Sequence, residues 1–219
     1  MLLLSFCLSA GLAWAGPSDA WQTLAEAPAG AERAHQLART LRETGAEPLS
    51  RDQLDLAWRI GVEESRAFRY DLAVEIQTLL HESAQAAWSA SDLALTLGRA
   101  GRYEEGRAIL EHQLARTQDA SGPFLQSRLG LLLLGAGAER EARNALGSAL
   151  AGGSEDAALI LGRLALDRNE QATARALFRG QLMEGSGGAW ALRGWGLTLL
   201  RTDQTDQPEA LTPAQTAAR

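Results

Sequence analysis

Between Leu129 and Leu150 the chain reads LGLLLLGAGAEREARNALGSAL. Leu129, Leu132 and Leu133 recur at helical spacing, Gly135 and Gly137 interrupt them, and Ala142, Ala145, Leu146, Ala149 and Leu150 take the spacing up again. Apolar residues three and four apart lie on one face of an α-helix. Glycine just past a helix end takes the left-handed backbone that closes it. The stretch therefore predicts two helices joined by a tight turn. Gly130 on the first and Ala142 on the second are small enough to let the two backbones approach closely.

The same plan recurs along the chain. The small residue of the first helix falls at Gly61, Ala94, Gly130, Gly162 and Gly194, in steps of 33, 36, 32 and 32 residues. That of the second helix falls at Ala73, Gly106, Ala142 and Ala174, in steps of 33, 36 and 32. The two markers move in phase, including at the long step. The turn between them holds Phe68, Gly101, Gly137 and Asn169, and three of these four are residue types that tolerate a left-handed backbone. A helix–turn–helix repeated about every 34 residues is the signature of a helical solenoid, in which no unit can bury its apolar face alone.

The segment DLALTLGRAGRYEEGRAILEHQL, Asp92–Leu114, resembles a tetratricopeptide repeat, above all in Gly101-Arg102-Tyr103-Glu104-Glu105. Trp190-x-x-Arg193-Gly194 is similar to that family's opening W-x-x-L-G, with Arg in place of Leu. The turn tyrosine is present at Tyr70 and Tyr103, whereas Glu139 and Gln171 replace it in later units, and the proline that closes many repeats is mostly missing. The resemblance covers Asp52 to Leu200. It implies an all-α fold of antiparallel helix pairs stacked as a right-handed solenoid. An Ala/Leu-rich helical bundle is the competing fold, and the phased spacing argues against it.

The remaining elements follow in order. Residues 1–15, MLLLSFCLSAGLAWA, read as a secretory signal peptide: the apolar run is too short to span a bilayer and ends in the small-x-small site Ala13-Trp14-Ala15. Cys7, the single cysteine, lies inside it. Phe6 precedes it where a lipoprotein signal has a small residue, so no lipid anchor is expected there. Residues 19–45 form an irregular helix pair, as a solenoid cap should. Ser50 with Gln53 matches a capping box. Repeat-like units follow at 52–84, 87–118, 123–153 and 155–184, then a final helix at 188–201. Ser91-Asp92 and Ser154-Glu155-Asp156 are read as helix starts. Thr117–Pro123 is the loosest internal connection. Residues 202–219, with Pro208 and Pro213 and no apolar stripe, are expected to be a disordered tail.

Net charge narrows the function. The formal charge is −6 and the isoelectric point about 5.2. A nucleic-acid binder needs a basic stripe instead. The 21 basic residues are all arginine. His35, His81 and His112 have no second ligand at a metal-binding spacing, and no phosphate-binding loop or nucleophile motif is present. No cofactor and no metal are expected. The acidic pairs Glu63/Glu64, Glu104/Glu105 and Glu155/Asp156 sit where they favour a helix dipole. Catalysis by two of them would need carboxylates facing one another across a cleft.

What the resemblance implies is a binding groove lined by the first helix of each pair. It places the aromatics Trp58, Trp88, Phe124 and Trp195 and the arginines Arg66, Arg99 and Arg163 on that face, with Leu95, Ser127 and Leu131 between them. Aromatics there would be apolar anchors, and arginine forks would take carboxylates. Interhelix packing is the competing role for each tryptophan. The expectation is an exported scaffold or adaptor, periplasmic or secreted, that holds a protein or peptide segment in the cell envelope without turnover. A helical-array enzyme such as a polysaccharide hydrolase, or a purely structural spacer, are the other readings. The first predicts convergent carboxylates in a deep pocket, the second a groove filled by its own side chains.

Overall fold

The computed structural model describes residues 17–45, 48–117, 119–183, 185 and 188–205, the side chains of 17, 18 and 200–205 apart. The expected signal peptide with Cys7, and residues 206–219 of the expected tail, lie outside the described residues. Among the described residues there are eleven helices and no strand: α1 (Pro17–Glu26), α2 (Ala31–Thr44), α3 (Arg51–Arg66), α4 (Tyr70–Ala84), α5 (Ala87–Arg99), α6 (Tyr103–Arg116), α7 (Ser121–Gly135), α8 (Glu139–Ala151), α9 (Glu155–Asp167), α10 (Gln171–Met183) and α11 (Gly188–Thr205). The protein is all-α. α11 runs into the first four residues of the segment expected to be a tail. The chain divides into two compact units, the first ending at Gln85 and the second beginning at Ala86.

In the first unit α3 packs on α4, α2 lies against both, and α1 packs on α2. Trp21, Leu24, Leu37, Ile60, Ile76 and Leu80 form one core. α3 begins on a capping box: the Gln53 N–H donates to Ser50 Oγ at 3.3 Å, and the Ser50 N–H donates to Gln53 Oε1 at 2.8 Å. Glu63 and Glu64 do not favour the helix dipole as expected: they lie in the last turn of α3, and Glu64 is buried there, with Arg69 Nη2 donating to its Oε1 at 2.8 Å and Arg69 Nε to its other oxygen. A buried carboxylate needs such a partner, because the interior replaces its lost hydration poorly.

In the second unit the pairs are α5–α6, α7–α8 and α9–α10, with α11 on α10. The first helices also touch in series, α5 to α7, α7 to α9 and α9 to α11. The small-residue markers sit where the backbones meet. A Cβ placed on Gly106 would stand 2.7 Å from the Ala94 carbonyl oxygen, and one on Gly130 would stand 2.5 Å from Leu146 Cγ. Arginine–carboxylate bridges tie successive pairs together about one repeat apart. Arg107 Nη1 lies 2.9 Å from Glu141. Arg168 and Arg143 converge on Glu139, whose carboxyl is held below its ordinary range by the Arg168 hydrogen bond first, then by the charges of both arginines, against an opposing desolvation.

The four turns within pairs are closed identically. Phe68, Gly101, Gly137 and Asn169 take φ values of 61°, 79°, 78° and 61°. The next residue donates its N–H to the carbonyl five positions back: Arg69 to Glu64 at 3.0 Å, Arg102 to Leu97 at 2.8 Å, Ala138 to Leu133 at 2.9 Å and Glu170 to Ala165 at 2.8 Å. This is the Schellman closure, which satisfies carbonyls left free by the helix end. Phe68 holds the left-handed conformation although it is neither Gly nor Asn, and it is 78% exposed. Its Cβ strain costs about 1–2 kcal/mol, against about 0.5–1 kcal/mol of extra chain entropy that glycine loses on folding. Glycine would also lose the edge-to-face contact of the ring with Tyr70, 6.0 Å between centroids, so Phe68→Gly should shift the urea midpoint by the equivalent of less than about 1 kcal/mol.

One expected helix start is corrected. Ser91 is not an N-cap: it is buried inside α5, which begins four residues earlier. The start is made by Ser89, whose hydroxyl donates to the Ala86 carbonyl at 2.9 Å and accepts from the Ala86 N–H at 3.2 Å. Ser154 does cap α9, accepting from the Ala157 N–H at 3.3 Å.

Candidate functional site

The second unit contains an open cleft of about 690 Å³ between α7, α9 and α11. Its size is that of a ligand-binding cleft, roughly 300–1,000 Å³. α9 contributes Asp156, Leu159, Ile160, Arg163 and Leu164, which are i, i+3, i+4, i+7 and i+8 of one helical face. α7 contributes Arg128, Leu131 and Leu134 on one side, and α11 contributes Trp190, Arg193, Gly194 and Leu197 on the other. Leu166 and Phe178 close the base. Most of the lining is apolar, with Asp156 and Arg163 on the α9 face and Arg128 and Arg193 on its two sides as the charged exceptions.

The elements fix this arrangement through Phe178. Its ring, 3% exposed, is wedged between the first helices: Cβ atoms on Gly162 and Gly194 would stand 2.8 and 2.4 Å from it. No side chain larger than hydrogen fits at either position, so α9 and α11 are drawn onto α10 with the cleft left open on their other side. Ala165, Leu166 and Ala174 complete that core.

The rim arginines differ in their commitments. Arg128 Nη2 donates to Asp156 Oδ2 at 2.8 Å, and its guanidinium lies 4.8 Å from the centre of the Phe124 ring. Arg163 Nε donates to both Asp167 carboxylate oxygens at 3.1 Å, a surface pair. Arg193 is exposed, and among the described residues no ion pair or hydrogen bond holds its guanidinium. Trp190 is 71% exposed at the opposite end of the same turn. Among the described lining residues Asp156 is the one carboxylate, and it is already paired.

The residues expected to line a groove are distributed as follows. Leu131 and Arg163 line the cleft. Phe124 stands behind Arg128 as its stacking partner. Ser127 is buried and donates its hydroxyl to the Phe124 carbonyl at 2.7 Å, so it offers a ligand nothing. Trp88 and Arg99 are exposed and Leu95 half-buried on α5, away from the cleft lining. Trp58 and Arg66 are exposed on α3, which belongs to the first unit. Trp195 is half-buried against the Phe178 core instead of facing the cleft.

The displacement of Trp195 has a physical cause. By the 32-residue register it should follow Leu131 and Arg163. α11 instead seats Ala191, Gly194 and Thr198 against its neighbours, all buried, because Gly194 alone can accept the edge of Phe178. Among the described residues no helix follows α11 to cover this face, and Trp190 and Arg193 stand at the rim. Their counterparts one repeat earlier, Ala158 and Leu161, are buried and half-buried. The sequence marks both in the Trp190-x-x-Arg193-Gly194 motif, with Arg193 in place of a leucine, but neither was among the residues expected to line a groove.

No protein-family model matches the chain, and no curated protein matches it.

Proposed function

We propose that the protein is an exported adaptor of the tetratricopeptide kind, its helix pairs continuing as a right-handed solenoid, which holds a protein or peptide segment in the cell envelope without turnover. The observation that carries this reading is the cleft: an apolar trough made by three successive first helices, open to solvent and rimmed by arginines. Uniform pair closure at Phe68, Gly101, Gly137 and Asn169 supports the repeat reading. A spacer calls for a trough filled by its own side chains, whereas Leu131 is 37% exposed on the wall and Trp190 more so. A hydrolase calls for two convergent carboxylates. Asp156, tied to Arg128, weighs toward recognition of a ligand.

The test places a photo-crosslinking amino acid at Trp190 in the full chain, in its native cell. Ultraviolet light should attach a discrete protein to it. Leu131→Arg, which fills the cleft from an already exposed position, should remove that adduct while leaving the helical circular-dichroism signal unchanged. An adduct of equal yield in the filled variant overturns the cleft as the binding surface. Adducts to glycan alone overturn the adaptor reading.

A further inference from the structure

Trp190 and Arg193 stand where the preceding repeat has a buried and a half-buried residue, Ala158 and Leu161, yet both are exposed at the mouth of the apolar cleft. We infer that this pair selects the cleft's occupant, and that the occupant is an amphipathic helical segment carrying an acidic residue beside its apolar anchors. The inference rests on the reading of the cleft as a segment-binding surface.

Charge bookkeeping around the rim sets the sign. Arg128 is neutralised by Asp156 and Arg163 by Asp167. Among the described residues Arg193 remains as the positive charge in excess, on a chain whose overall charge is −6. A local positive site on an acidic protein turns away basic segments through the general field and receives a carboxylate at one place. The planar guanidinium also takes a carboxylate with two parallel hydrogen bonds, which fixes orientation as well as charge.

Shape sets the conformation. The floor is one face of α9, from Asp156 to Leu166, about 15 Å of helix. α7 and α11 stand along its two sides as walls. Such a trough accepts side chains projecting from one face of a second helix at i, i+3 or i+4, and i+7. Half-buried leucines and isoleucine on the floor supply the complementary surface. Trp190, with its large apolar face and an indole N–H, caps the end of the trough on the α11 side and is suited to cover the last anchor.

The full chain, with wild-type sequence, Arg193→Leu or Arg193→Glu, is used to select binders from a displayed library of random dodecapeptides. Wild type should enrich Leu, Ile or Phe at helical spacing together with Asp or Glu at a fixed offset. Arg193→Leu should weaken those peptides roughly three- to tenfold, and Arg193→Glu should enrich Lys or Arg at the same offset. Enriched peptides without an acidic position, or with affinities unchanged in Arg193→Leu, overturn the charge inference while leaving segment binding intact. Proline-rich or extended consensus sequences overturn the helical occupant. Peptides that bind Leu131→Arg as well as wild type show that the cleft is not the site, and both readings fall. Failure to enrich any peptide, with sodium dodecanoate quenching indole emission in wild type but not in Trp190→Phe, assigns the cleft to an acyl-chain ligand and overturns the inference.

Discussion

Phe178→Ala should cost about 3–5 kcal/mol of stability and abolish ligand capture by the cleft. The ring is nearly fully buried, and the two first helices meet it through glycines, Gly162 and Gly194. Glycine has no side chain with which to refill the space, so the neighbouring helices must either move together or leave a void. Both the lost apolar burial and the residual cavity then count against the variant, as large-to-small core substitutions generally show. The damage should be concentrated in the α9–α11 region, because stacked helix pairs lend stability mainly to their immediate neighbours. Hydrogen exchange followed by mass spectrometry is the measurement: protection should fall first in α11 and in the half of α9 that faces it. Uniform loss of protection across the second unit would show that Phe178 acts on the whole core and does not serve as a local wedge. Phe178→Leu, which keeps most of the apolar volume, should retain a large part of the stability and of the capture.

Gly130→Val is expected to destabilise by at least about 1–3 kcal/mol, the ordinary cost of overpacking a filled interior. The first added carbon would stand 2.5 Å from Leu146 Cγ and 2.8 Å from its Cδ2, with the Ala142 carbonyl oxygen at 3.2 Å. Leu146 is fully buried and cannot swing away, and the backbone oxygen belongs to a helix. Valine, branched at Cβ, leaves no rotamer that clears both. Gly147→Ala, one turn from Leu150 on the outer side of α8, provides the contrast. Nothing lies within 4 Å of a Cβ there and the position is exposed. Replacing an unencumbered helical glycine by alanine should stabilise by about 0.5–1 kcal/mol. Opposite shifts of the urea midpoint in these two variants check the account; shifts of the same sign would mean that close backbone approach at Gly130 is not what the small residue provides.

Both expectations bear on how the cleft is made. The markers found by periodicity, Gly130 and Gly162, are where a bulky residue of the second helix, Leu146 or Phe178, sixteen positions later, presses on the first. Gly194 accepts the same ring from the other side. One aromatic therefore positions two walls of the candidate site, and its removal should be felt as lost shape before lost charge.

Much of this was legible in the linear chain because it depends on a few neighbouring residues. Helix pairing follows from apolar spacing within each element. The left-handed closures at Gly101, Gly137 and Asn169 follow from residue type, and the in-phase repeat extended the same turn to Phe68, where residue type argued against it. The caps at Ser50 and Ser154 involve groups three residues apart. Ser91 misled because the same residue type serves equally inside a helix, and α5 was started earlier by Ser89 folding back on Ala86. Which residues meet at the cleft was decided by tertiary structure alone. The family resemblance implied Trp195 on one groove face with Leu131 and Arg163, as if every first helix presented the same face. α11 turns the same marker, Gly194, toward the second helix of the preceding pair, against a ring that already fills the space beside Gly162. The rotation of a helix about its own axis is set by the shape of what it lies on, and that shape comes from side chains distant in sequence. Spacing fixes which residues share a face; only the packing of Phe178 settles where the face of α11 points.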